Sequence, residues 1–164
     1  MIIEAGTWNL EPKRRDLGQR LEWLSLQVRD ILQRYNPARV GLEKAVYFKN
    51  VASSFVLSEA RGVCRLLIYE VLDQAADRLI ELSPTQVKKA AVGFGGANKE
   101  QLAAFLMKRF RMDFEQSRRM GPDTFDAIAV AWATSLVLAK ERRFLRSQGE
   151  HFKNGNKSRA LDQG

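Results

Sequence analysis

From Lys13 to Tyr35 the apolar residues Leu17, Leu21, Leu24, Val28, Ile31, Leu32 and Tyr35 recur at spacings of three and four. That is the period of an amphipathic helix, here with a basic opposite face, and Asn36-Pro37 stops it. The residues before it, 2 to 10, have the branched and aromatic content of a strand, closed by Asn9 and Pro12. Arg39 to Glu43 is a short apolar run ending on a carboxylate and predicts a buried strand. Val51 to Ala76 predicts a long helix of mixed faces, and Arg78 to Leu82 a further strand. Ser83-Pro84-Thr85-Gln86 carries a cap, a proline at the first helical position and a glutamine at the third, so a short helix starts there and bears Val87, Lys88 and Lys89. It breaks at Gly93-Phe94-Gly95-Gly96. Asn98 with Gln101 then opens the helix Lys99 to Phe110, and Asp113 to Met120 reads as a loop. Gly121-Pro122 introduces a last helix, Asp123 to Lys140, apolar on every side between Ala127 and Ala139, which predicts a fully buried pillar. This order of elements makes an α/β domain over residues 1–140, followed by a basic tail over 141–164 that is expected to be disordered.

Composition narrows the chemistry. A formal net charge of +8 calls for an anionic partner, and a polyphosphate is the commonest one for a basic domain. Cys64 is the sole cysteine, which excludes an intrachain disulfide and a cysteine-rich zinc site, and His151, the sole histidine, sits in a polar tail, which argues against a Ser-His-Asp device and a histidine-rich metal site. Acidic residues are left to carry any reaction. Met1 is followed by Ile2, Ile3 and Glu4 with neither a basic start nor a long apolar run, so no signal peptide or membrane span is expected, and a cytoplasmic location is.

Three acids stand out. Asp123 and Asp126 share one side of a first helical turn, and Glu43 ends a strand. One reading is that first-turn acids answer the positive end of the helix dipole, worth about 0.3 to 1 kcal/mol each. The other is an all-oxygen cage for Mg²⁺ or Mn²⁺, in which two ions about 4 Å apart would serve an in-line phosphodiester cleavage. The glycine-rich stretch from Gly93 to Gly96, flanked by Lys88, Lys89 and Lys99, likewise has two readings, a tight turn or a phosphate contact. It lacks the ending and spacing of a nucleotide P-loop. Tyr47 and Phe48, beside Lys49, either stack on bases or pack in the core.

Together these motifs resemble the RuvC family of Holliday junction resolvases. The matching pieces are GLEKAVYFKN, SEARGV, TQVKKAAVGFGGANKEQ and GPDTFDAIAVAWA, in family order between about Gly6 and Leu138. The resemblance implies an α/β, ribonuclease-H-like mixed sheet flanked by helices, and a homodimer that cuts four-way junction DNA with Mg²⁺ in recombination and repair. It assigns catalytic and metal-ligand roles to Glu43, Asp123 and Asp126, and junction contacts to Lys88 and Lys99, to which Tyr47, Phe48, Lys49 and Lys89 are added as DNA-binding candidates. A branch-migration helicase is a further implied partner. Two departures stand against the family pattern. The aspartate of the family's first strand, in an IDPG-like motif, has no counterpart, and Asp16 is no substitute for it. Met1 begins where the family's third strand would, so the fold is expected to be N-terminally truncated and the gene to start further upstream. The wedge aromatic three residues past the glutamate is Val46 here, leaving Tyr47 or Phe48 to take that role. The alternative reading is a junction-binding or DNA-binding protein without activity, because the first catalytic aspartate is absent.

Overall fold

The structure is a computed structural model that describes residues 1–8, 16–44, 50–113 and 120–161, with side chains as far as residue 146. The first helix, α1, runs Leu17–Tyr35, and Asp16 caps it by accepting from the Gln19 N–H at 2.8 Å. Strand β1, Val40–Glu43, follows. Helix α2, Val51–Val71, is capped by Asn50 and ends before Leu72. The expected continuation to Ala76 is interrupted. Gln74 adopts a left-handed backbone, and a separate turn of helix, α3, covers Ala75–Arg78. Strand β2, Leu79–Leu82, leads into α4, Pro84–Val92, and then α5, Lys99–Phe110. Both of these helices begin with the reciprocal capping boxes that their sequences predict.

The last helix, α6, spans Pro122–Leu161 and so runs past the end expected at Lys140. It is also not buried on every side. Ile128, Ala129, Val130, Ala133 and Thr134 are buried, whereas Ala127 and Ala131 are exposed along one stripe. The chain divides into two compact units, Met1–Thr134 and Ser135–Gly164, the second being the continuation of α6 as far as it is described. The strand expected over residues 2–10 does not form within the described residues 1–8. Those residues instead lay side chains on two helices: Trp8 meets Trp23 of α1 edge-on at 6.4 Å, and the Thr7 and Thr124 hydroxyls share a hydrogen bond of 2.7 Å.

Among the described residues the sheet has two strands, β1 and β2, parallel and in the register Val40↔Leu79 through Glu43↔Leu82. Successive side chains point to opposite faces. Val40 and Leu79 face rearward into a core of Leu32, Leu67, Ile68, Leu72 and Ala75, where α1 and α2 cover the sheet. Gly41 faces forward and meets Val130 and Thr134 of α6. The sheet is therefore layered between α1/α2 and α6, and Glu43, two residues beyond Gly41, points to the α6 side.

Candidate active site

Gly41 sets the distance between the strand and the helix. A Cβ added to it would lie 2.1 Å from Thr134 Oγ1 and 2.9 Å from Val130 Cγ1, so only glycine lets α6 come this close. The approach carries the first turn of α6 to the end of β1. Glu43, Asp123 and Asp126 then line one cavity of about 470 Å³ with Arg39, Gly41, Ala127, Val130, Ala131 and Thr134. Apart from Arg39 its wall is made of small residues, and its carboxylates come from two elements.

Electrostatics show the same convergence. The Glu43 carboxyl is raised above its ordinary value of 4.5, first by burial and then by the negative charge of Asp126, against the opposing pull of Arg61, Lys88 and Lys99. Two acids and three cations thus share one field. Lys99 reaches Asp126 directly, with Nζ 3.5 Å from Oδ2. Its helix is held alongside α6 at the other end as well, where Phe110 meets Trp132 edge-on at 5.9 Å and the Arg109 guanidinium lies 4.4 Å from the centre of the Trp132 indole. Among the described residues, no three Asp, Glu, His or Cys side chains stand close enough together to hold a metal ion.

Of the basic candidates, Lys88 is half-buried and acts on Glu43, while its neighbour Lys89 is exposed. The glycine loop has a structural explanation. Gly93 ends α4 with φ +90°, and a Cβ on Gly95 would lie 2.4 Å from Thr85 Cγ2, so both positions need glycine whether or not a phosphate binds. Tyr47, Phe48 and Lys49 lie outside the described residues. Sequence reasoning missed Arg61 at this site. It lies in the SEARGV piece that resembles the family, yet no local pattern announces that it turns in to Glu81, twenty positions away. No helix among the described residues is long and apolar enough to cross a membrane.

This mixed α/β fold, a parallel sheet covered by helices, is shared with two solved structures. The Thermus thermophilus RuvC structure matches at a TM-score of 0.63 and 19% identity over 82% of this chain and 76% of that one. T. thermophilus RuvC in complex with Holliday junction substrate matches at a TM-score of 0.65 and 22% identity, covering 76% of this chain and 71% of that one. The model of the family described as crossover junction endodeoxyribonuclease RuvC matches residues 2–134, and the chain belongs to that family. Proteins of that description from Chloroherpeton thalassium and Pseudomonas fluorescens SBW25 are each 34% identical over 71% of this chain. The chain spans 59% and 62% of the lengths of those two relatives.

Proposed function

We propose that this chain acts on four-way DNA junctions as a divalent-ion-dependent endonuclease, with Glu43, Asp123 and Asp126 as its metal-binding acids. The observation that carries the reading is their convergence on one cavity from a strand end and a helix start, within a family described by that activity. The donor set fits. Carboxylate oxygens without nitrogen or sulfur partners suit Mg²⁺, or Mn²⁺ in its place, and a cation would relieve the repulsion that Asp126 exerts on Glu43. When bound, such an ion activates water and stabilises the leaving oxygen of a phosphodiester.

The protein's own residues prepare the reaction around that site. Gly41 fixes the spacing of strand and helix, Lys99 balances Asp126, and Lys88 lends positive charge beside Glu43. Lys88, Lys89 and Lys99 would also neutralise backbone phosphates, the interaction that contributes most to nucleic-acid affinity. Tyr47, Phe48 and Lys49 join the DNA-binding set on residue type and sequence position alone, and a branch-migration helicase as partner on the family resemblance alone. Homodimer assembly is supported by the face of α2 where Phe55 and Leu66, both 65% exposed, and Tyr69 are presented together. A two-fold pair of sites is the simplest way to cut two opposed strands of a symmetric junction.

One observation favours a second reading, a junction binder without activity. The three acids are not gathered at metal-binding distance among the described residues. A Mg²⁺ titration against labelled junction and linear duplex, read on native and denaturing gels, separates the two. Cleavage that appears with the ion and only on the junction supports the nuclease, and a shifted but intact junction at every Mg²⁺ concentration supports the binder. Equal affinity for junction and duplex contradicts both.

A further inference from the structure

Behind the sheet, opposite the acid-lined cavity, lies a charged cluster that the proposed chemistry does not use. Since Gly41 and Glu43 face α6, Leu42 and its register partner Glu81 face α2. There Arg61 donates from Nη2 to Glu81 Oε1 at 2.5 Å, and Arg65 donates to the same oxygen at 2.5 Å. The two arginines differ in setting. The Arg61 side chain is 19% exposed and that of Arg65 50%. The Arg61 Nε is buried and has no hydrogen-bond partner among the described residues.

The place of this pair in the fold gives it a bearing on the site. Glu81 adjoins Leu82, whose register partner is Glu43 and whose carbonyl accepts the Lys44 N–H at 2.8 Å. From α2, Arg61 reaches Glu81 in β2, one residue before Leu82. A run of contacts therefore leads from Arg61 through Glu81 and Leu82 to the Glu43–Lys44 strand end. We infer that Arg61 is a positioning residue for Glu43: anchored on Glu81, it clamps the end of β1 from the rear of the sheet and keeps the carboxylate facing α6. This rests on the reading of Glu43 as a metal-binding acid.

Two measurements on the full chain test the clamp, one of them independent of metal. In Arg61→Gln, exchange of the Lys44 amide should quicken about ten-fold while the amides of buried Ile68 and Ala133 keep their rates, because only the strand end is released. Mn²⁺ affinity, titrated without DNA, should fall about ten-fold or more, as for other residues that orient a metal ligand. Arg61→Lys keeps the charge without the fork and should recover part of both values, and it serves if the glutamine variant does not fold. Arg65→Gln should leave both within about two-fold, since an exposed arm contributes little. Exchange that quickens equally at Lys44, Ile68 and Ala133 would overturn the inference by showing a contribution to overall stability alone, and so would exchange that changes nowhere. If the unmodified chain binds no Mn²⁺, the metal reading of Glu43 fails, and Lys44 exchange still decides whether Arg61 holds the strand end.

Discussion

Gly41 and Thr134 are in contact at a separation that no side chain on residue 41 could tolerate, since a Cβ there would fall 2.1 Å from the threonine hydroxyl. Thr134 cannot easily turn aside, being 5% exposed and committed through Oγ1 to the Val130 carbonyl at 2.8 Å. Gly41→Ala should therefore push α6 from β1, destabilise the fold by about 1–3 kcal/mol, and lower cleavage by separating Asp126 from Glu43. Thr134→Ala in the same chain should return part of the stability, leaving the contact with Val130 Cγ1 at 2.9 Å. Additive effects in the thermal melts of the two single variants and the double variant would show that the contact does not set the spacing.

The lysines near the cavity should act through phosphate. Lys88→Ala and Lys99→Ala are each expected to weaken junction binding and to reduce the slope of log affinity against log salt by about one. Lys99 has a second role in balancing Asp126, so its loss should also depress Asp126-dependent cleavage more than the change in binding explains. Unchanged salt dependence would mean that these lysines only solvate the surface.

Glu43 and Glu81 are shifted in opposite directions and should titrate stability with opposite signs. Glu43 is raised above 4.5, by burial before the charge of Asp126, so its contribution is most favourable below 4.5 and is lost as pH rises through its folded value. Burial works to raise Glu81 too, but the hydrogen bond from Arg65 and the charges of Arg65 and Arg61 hold it below 4.5. Its contribution is present above 4.5 and is lost as pH falls through its folded value. At pH about 7, Glu43→Gln should then raise Tm and Glu81→Gln should lower it, with both differences shrinking on acidification. Melts across this range that move the two variants in the same direction would contradict the assignment.

Much of this arrangement was legible in local sequence, and the rest was not for identifiable reasons. The capping boxes at Ser83 and Asn98 lie within four residues of chain, and the two helices begin where those residues say. The end of α2 carries no such signal: neither glycine nor proline marks Leu72 to Gln74, and the break depends on Gln74 taking a left-handed conformation. The stretch Ala127 to Ala139 reads as buried all round because its residues are apolar, yet Ala127 and Ala131 are small enough to line an open cavity. Glu43, Asp123 and Asp126 could be singled out by position in strand and helix, whereas their meeting depends on Gly41, whose missing side chain means nothing until Thr134 is placed beside it. Arg61 and Glu81 are joined only by tertiary structure.

Assembly is testable on the face of α2 that Arg61 leaves. With Arg61 turned in to Glu81, the exposed surface there includes Phe55, Gly62, Leu66 and Tyr69. Leu66→Asp places a charge in that apolar face and should convert a sedimenting dimer to monomer while leaving the melting transition within a few degrees. A dimer that survives this change would place the interface elsewhere.

Cleavage of a four-way junction labelled on each strand in turn, with Mg²⁺ and with chelator, is the most direct test of the three-acid site. The unmodified chain should make paired cuts in opposed strands only with the ion. Glu43→Gln, Asp123→Asn and Asp126→Asn should each abolish cutting while keeping junction affinity within about a few-fold, because they remove metal ligands and leave the lysine contacts in place. Binding without cutting at any Mg²⁺ concentration, cutting in chelator, or an acid variant that cuts at the unmodified rate would contradict it.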